Sequence, residues 1–429
     1  MITNLSNSTL QILTLALMGG LFGAFINWAT YRWGYQKWSY SPWSKPAAGS
    51  LPRKLTDYLP VIGWFGLRRD SQVHGGTFWI RPLVTELVWM IGLPCFFFWE
   101  MQGGLVGFET VPEPAWGETW FWGHTVLIVL MFIATFIDLD QRLIPDWITV
   151  PGTIIGLVIA SLFASFRLPE VVNQLKLRPV IENLTFMSPD AVSLWQTSSY
   201  GCMISLFIFS VWVFALYPKT VPNRWHPHSL MFMGASMIRV WKRKPLKVHR
   251  YFRQQAITMT IIWVVGILLV PMAWRLLPEN IDSLFGAFIG LGFAGMLVWL
   301  IRIIGSYALG QEAMGFGDVT LMAMIGAFLG WQASLLIFAF APFAGLIVTI
   351  ANFIFTRDNE LAFGPYLCLS SLGVLLFWSS VWGWAEKFIF AEGPIFLLAV
   401  LMVALVLFAV MLFVIRLAKE KSYQETKEN

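Results

Sequence analysis

Apolar residues fill one run of about twenty after another along this chain, and polar residues are confined largely to the gaps between them. A helix needs a run of that length to cross roughly 30 Å of hydrocarbon. Read end to end, the pattern predicts about eleven apolar helices, over 10–31, 82–99, 121–140, 147–166, 199–217, 256–274, 284–304, 318–329, 332–355, 365–383 and 394–415. The eighth is short and bounded by Gly326 and Gly330, so the eighth and ninth also read as one kinked helix. The expected fold is all-α: a polytopic membrane helix bundle of about 8 to 11 transmembrane segments. The first segment has no basic stretch before it and no clear small-residue cleavage site after it, so it reads as a span rather than a cleaved signal.

Composition agrees with the pattern. The chain is 57% hydrophobic and only 12% charged, where a soluble domain would carry about a quarter of its residues as charges. Its 23 tryptophans suit interfacial belts and bundle interiors. Cys95, Cys202 and Cys368 stand singly in apolar runs and form no metal-spaced pair or disulfide framework.

Charge placement carries the orientation. Loop 32–81 holds Arg32, Lys37, Lys45, Arg53, Lys54, Arg68, Arg69 and Arg81, and loop 218–255 is basic with no acid at all. Loop 100–120 has Glu100, Glu109, Glu113 and Glu118 and no basic residue. Because Lys and Arg collect on the cytoplasmic side, the expected topology has the N-terminus outside and the C-terminus in the cytoplasm. The expected organisation is a first helix (1–31), a cysteine-free basic cytoplasmic loop domain (32–81) and helices with a first aspartate motif (82–166). An inserted region with a helical hairpin and a second basic loop (167–283) follows, then helices with a second aspartate motif and a Phe-Gly-Pro step (284–383). A last helix and cytoplasmic tail (384–429) close the chain.

The chemistry lies at two helix mouths. Asp138-Leu139-Asp140 ends the third apolar run, and Gly315-Phe316-Gly317-Asp318 opens the eighth. An ionisable residue at a membrane helix is expensive and is a functional-site candidate by default. In the expected topology both fall at the cytoplasmic face. Two carboxylates sharing a site do not readily both ionise, so one can serve as base and the other as acid. The base draws a proton from water as it attacks a peptide carbonyl, and the acid protonates the oxyanion or the leaving amine. Gly315 and Gly317, lacking Cβ, allow close approach of backbone to Asp318.

These residues resemble a known family. Gly315-Phe316-Gly317-Asp318 looks like the GxGD signature of the type IV prepilin peptidases, and Asp138-Leu139-Asp140-Gln141-Arg142-Leu143-Ile144-Pro145-Asp146 looks like their other aspartate motif. Phe363-Gly364-Pro365-Tyr366 resembles their FGP motif. The run from Gly20 to Asn27 resembles their first helix, and Pro60 to Trp64 and Arg81 to Leu87 resemble the flanks of their cytoplasmic domain. The resemblance implies that Asp138 and Asp318 are catalytic, with Gly315, Gly317, Asp140, Pro145, Asp146, Gly364 and Pro365 in support. It implies an inner-membrane aspartic protease that cuts the basic leader from prepilins of type IV pili or pseudopilins of type II secretion. Many members then methylate the new N-terminus with S-adenosylmethionine.

Three departures stand out. Many members carry two CxxC pairs, a zinc-site spacing, in the cytoplasmic domain. Residues 32–81 have no cysteine, so no zinc is expected there and methylation, with its S-adenosylmethionine, is left open; proteolysis needs no cofactor. Stability of that loop is expected from Pro42, Trp43, Pro52, Pro60, Trp64 and Phe65 packing onto the bundle. Thr320 stands where many members have Lys, and 167–283 is longer than expected.

Plainer readings exist for the neighbours. Asp140 reads equally as a solvated helix-end charge, and Asp146 as a helix N-cap. Glu86 either faces a polar cavity or pairs with Arg81. Loop 218–255 reads as a topogenic anchor beside anionic membrane lipid, which leaves no need for nucleic acid as a partner. A proton-coupled transporter and an inactive membrane scaffold are the alternatives from other classes. The first would place its acids at the midplane of inverted repeats, and the second would have lost an aspartate.

Overall fold

Nearly every long apolar run forms a helix in the computed structural model, which describes residues 2–35, 38–107, 110–174, 178–184, 199–217, 245–309, 314–355 and 363–390 and isolated positions beyond. The long helices are α1 (Ile2–Trp33), α4 (Ile80–Met101), α5 (Pro114–Gln141), α6 (Asp146–Leu162), α7 (Ser199–Leu216), α8 (Pro245–Leu276), α9 (Ile281–Leu309), α10 (Phe316–Phe355) and α11 (Gly364–Leu376). Short helices α2 (Ile62–Leu67) and α3 (Ser71–His74) lie between α1 and α4, and α12 (Trp378–Ala385) follows α11. Among the described residues, seven helices are long and apolar enough to cross a membrane, or eight if the bent pair α11–α12 counts as one. The protein is a multi-pass membrane helix bundle.

The predicted segments differ from the helices in three instructive places. The fourth, α6, has only 17 residues. The eighth and ninth are one helix, α10, broken at Gly330 (φ 83, ψ 175), a conformation glycine reaches without strain. The tenth is two helices that meet at 89°. Segment 394–415, the C-terminal tail and most of loop 218–255 lie outside the described residues. An element that the apolar pattern did not signal is the antiparallel hairpin of β1 (Pro169–Gln174) and β2 (Arg178–Asn183). It is tied to the bundle by the Trp378 indole, which donates to the Pro169 carbonyl at 2.8 Å.

Helix contact in a membrane depends on close backbone approach more than on a hydrophobic drive. Helices α9 and α10 meet where a Cβ on Gly290 would lie 2.0 Å from the Gly326 carbonyl oxygen, so no larger residue fits. The fully buried core runs along α5 (Phe121, Leu127, Ile133, Ile137) and α10 (Leu321, Met322, Met324, Ile325). The expected hairpin of α7 and α8 is present: Trp263 donates its indole N–H to Ser210 Oγ at 3.1 Å, and Tyr217 and Thr260 are hydrogen-bonded.

The loop domain between α1 and α4 is built only partly as expected. Trp64 is buried, but Trp43 and Phe65 are 59% and 57% exposed. Trp64 packs with Tyr31, Leu67 and Leu83, Pro42 is buried, and ion pairs add to this packing. Arg69 makes a two-pronged pair with buried Asp57, and Arg53 pairs with buried Asp70 at 2.9 Å. The Lys54 backbone N–H also donates to Asp57, at 2.7 Å. Charged groups could do this because each carboxylate's acceptors are filled by donors of known geometry. Val61 adopts φ 65, unusual for a β-branched residue, and its N–H is held by Glu86.

Candidate active site

Helix α5 ends in a left-handed cap at Arg142, whose N–H closes on the Asp138 carbonyl at 2.7 Å. That stop leaves the Asp138 side chain in the last turn, 5% exposed. The chain then runs through Ile144 and Pro145 into α6. Asp318 sits in the first turn of α10 and is 7% exposed.

Three contacts bring these distant aspartates to one place. The Gly364 backbone N–H, at the start of α11, is hydrogen-bonded to the Asp138 carboxylate. A Cβ on Gly364 would lie 2.6 Å from Asp138 Oδ2 and 2.8 Å from Ile144 Cδ1, so a larger residue there would displace one of those side chains. A Cβ on Gly317 would fall 2.9 Å from the Cβ of the same Ile144, so the turn before Asp318 presses on the loop after Asp138. Cys368, one turn along α11 from Gly364, is buried and close enough to feel the charges of both Asp138 and Asp318. The arrangement is two buried carboxylates at one end of the bundle, ringed by three helix starts or stops.

The supporting residues divide. Gly317 and Gly364 are closely packed, so a Cβ there would force neighbours to shift, whereas a Cβ on Gly315 would have Asp318 Oδ2 at 3.5 Å, an ordinary contact. Pro145 itself is the residue capping α6, and Asp146 is its first helical residue, not the cap. A carboxylate in that first turn still suits the helix dipole. Pro365 occupies the first turn of α11, where its missing N–H costs nothing. Asp140 is neither free nor at the dyad: it forms a two-pronged pair with Arg81, both contacts at 2.7 Å. That leaves Glu86 without Arg81. It accepts instead from Asn27 Nδ2 (3.1 Å), Trp64 Nε1 (2.7 Å) and the Val61 N–H, and so ties the loop domain to α1 and α4.

Some buried polar residues were not singled out as site residues in the sequence reading. Arg302 in α9 is 2% exposed and donates Nε to the Met314 carbonyl at 2.8 Å. Its lone positive charge in an apolar run was the available clue. Glu100 and His124 form a wholly buried pair at 2.7 Å, at the end of α4 away from loop 32–81. The loops 32–81 and 100–120 thus lie at opposite ends of α4. Among the described residues, no group of three His, Cys, Asp or Glu side chains is placed to hold a metal ion. Loop 32–81 offers none of the thiolates a tetrathiolate zinc site requires.

Comparison with known proteins adds a partial family match. Residues 125–177 and 252–350 match the type IV leader peptidase family (Peptidase_A24). A prepilin leader peptidase/N-methyltransferase of Pectobacterium carotovorum subsp. carotovorum is 33% identical over 119 residues, covering 27% of this chain and 40% of that protein. One of Aeromonas salmonicida is 30% identical over 209 residues, 48% of this chain and 60% of that protein. One of Pseudomonas aeruginosa is 27% identical over 156 residues, 35% and 52% respectively. The chain thus spans 40% to 60% of the length of these relatives. No solved structure matches it.

Proposed function

We propose that this chain, whose residues 125–177 and 252–350 match the type IV leader peptidase family, is a membrane aspartic endopeptidase that removes the basic leader of prepilin- or pseudopilin-like proteins. The observation that carries the proposal is the convergence of Asp138 and Asp318 around Gly364, Ile144 and Cys368. One carboxylate takes a proton from the attacking water. The other gives its proton to the carbonyl oxygen; as the tetrahedral diol collapses, the first passes the proton it took to the leaving amine and the second recovers one from the diol. Their low exposure strengthens every electrostatic contact, while their place at helix ends keeps them within reach of water.

In the proposed topology the site faces the cytoplasm, beside the basic loop 32–81, with the N-terminus outside and the C-terminus inside the inner membrane. Charge asymmetry supports this side: the acidic loop 100–120 lies at the other end of α4. A transporter is less well supported, since both aspartates sit at helix ends rather than at a midplane. A scaffold gives no reason for keeping both. Methylation is not part of the reading, and no residue is assigned to S-adenosylmethionine.

The test is co-expression with a pilin-like substrate carrying a basic leader and a glycine before the cut, in a host without its own peptidase. The expected result is a shortened substrate, with cleavage unchanged by a chelator and a product mass that stays unmethylated when S-adenosylmethionine is present. A full-length substrate beside well-expressed, membrane-inserted enzyme would overturn the proposal. In the same assay Gly364→Ala is expected to lower the rate on the order of a hundredfold, because its new methyl group displaces Asp138. It should also cost roughly 1–3 kcal/mol in stability through overpacking. A fully active Gly364→Ala enzyme would show that the close approach to Asp138 has no role.

A further inference from the structure

The turn that delivers Asp318 is gripped from two sides by residues outside the aspartate pair. On one side is Arg302 of α9. Its Nε donates to the Met314 carbonyl at 2.8 Å, and its guanidinium lies 5.7 Å from the centre of the Phe316 ring. On the other side is Thr149 of α6. Its hydroxyl donates to the Thr320 hydroxyl at 3.1 Å, which in turn donates to the Gly317 carbonyl at 3.0 Å. All three side chains are buried. Each threonine has a single hydroxyl proton, so this chain of bonds has one direction, from Thr149 through Thr320 to Gly317.

The carbonyls held, Met314 and Gly317, bracket the turn immediately before Asp318. Gly317 has the further constraint of Ile144 against it. A side chain in the first turn of a helix is placed by the backbone that enters the helix. Here that backbone is fixed at both ends and pressed from a third direction. We propose that Arg302 and Thr149 are positioning residues that hold the Met314–Asp318 turn in register with Asp138. The inference rests on the proposed protease reading for its consequence on rate, but the clamp itself is a statement about the turn.

Thr149 gives the cleanest test, because valine keeps its shape and loses only the hydroxyl, while serine keeps the hydroxyl and loses a methyl. In the co-expression-derived assay with purified enzyme, Thr149→Val is expected to lower kcat by about ten- to a hundredfold with KM little changed. Thr149→Ser is expected to stay near wild type. Backbone amides of 314–322 are expected to exchange faster with deuterium in Thr149→Val and in Arg302→Met, with α4 and α5 unaffected. Wild-type kcat and wild-type protection in Thr149→Val would overturn the clamp, as would an equal loss in Thr149→Ser, which would mean packing alone. If wild-type enzyme cuts no leader substrate, the protease reading fails, and the amide exchange still decides the clamp.

Discussion

Asp138→Asn and Asp318→Asn are each expected to stop leader removal, lowering the rate by about 10²–10⁴-fold, while the protein inserts and accumulates as wild type. Asparagine keeps the shape of the side chain and removes the proton exchange that both halves of the reaction need. Neither carboxylate can cover for the other, since one must accept a proton while its partner donates. The double variant should be little worse than either single one, because residues that act as a unit lose their effect together. The readout is the size shift of the substrate on a gel, normalised to enzyme in the membrane fraction. Substantial processing by either single variant would remove the two-aspartate mechanism.

The second large effect is expected in the loop domain. Arg69→Met should destabilise it by about 3 kcal/mol, because it strands a buried carboxylate. The Asp57 side chain has no solvent exposure and its remaining donor is the Lys54 N–H. Burial alone would push the Asp57 carboxyl up, but the Arg69 guanidinium, the Lys54 N–H and the Arg53 charge together hold it below the ordinary aspartate range. A folded carboxyl that is more acidic than in the unfolded chain stabilises fully above its unfolded value. Its contribution disappears as pH falls below about 4 and through the lower folded value. Wild-type protein should therefore lose protection of residues 51–70 from proteolysis on acidification through that range. Arg69→Met should be sensitive already at neutral pH. Equal protease resistance of the two proteins at pH 7 would show that the pair contributes nothing.

Much of this was legible before any coordinates, and the reasons differ by residue. Asp138, Asp318 and Gly364 stood out because charge, glycine and proline interrupt long apolar runs at helix ends, where the pattern has a sharp edge. What the pattern could not supply was partnership. Asp140 and Arg81 are 59 positions apart, and Glu86 draws donors from α1 and from the loop domain at once. Spacing along a helix predicts which residues share a face, not which face meets which neighbour. Thr149 looked like an ordinary polar residue of an apolar helix for the same reason, and Thr320 stood out only as a departure, not for its partner. The hairpin 169–183 was missed because two six-residue strands leave little periodicity among apolar neighbours. The right-angle turn after Leu376 was missed because an apolar run reads alike through a bend and through a straight helix.

The shortness of α6 and α11 bears on the depth of the proposed site. With 17 and 13 residues, they reach about 25 Å and about 20 Å at 1.5 Å per residue, against roughly 30 Å of hydrocarbon. Both begin at the aspartates, and α11 turns aside after its last residue instead of continuing across. Helices too short for their surroundings pull the lipid surface toward them, a hydrophobic mismatch that thins the bilayer locally. Under the proposed reading, such thinning would bring the leaflet toward Asp138 and Asp318. In that reading, a peptide bond at the border between a substrate's charged head and its apolar helix would meet the proposed pair without the apolar part leaving the membrane.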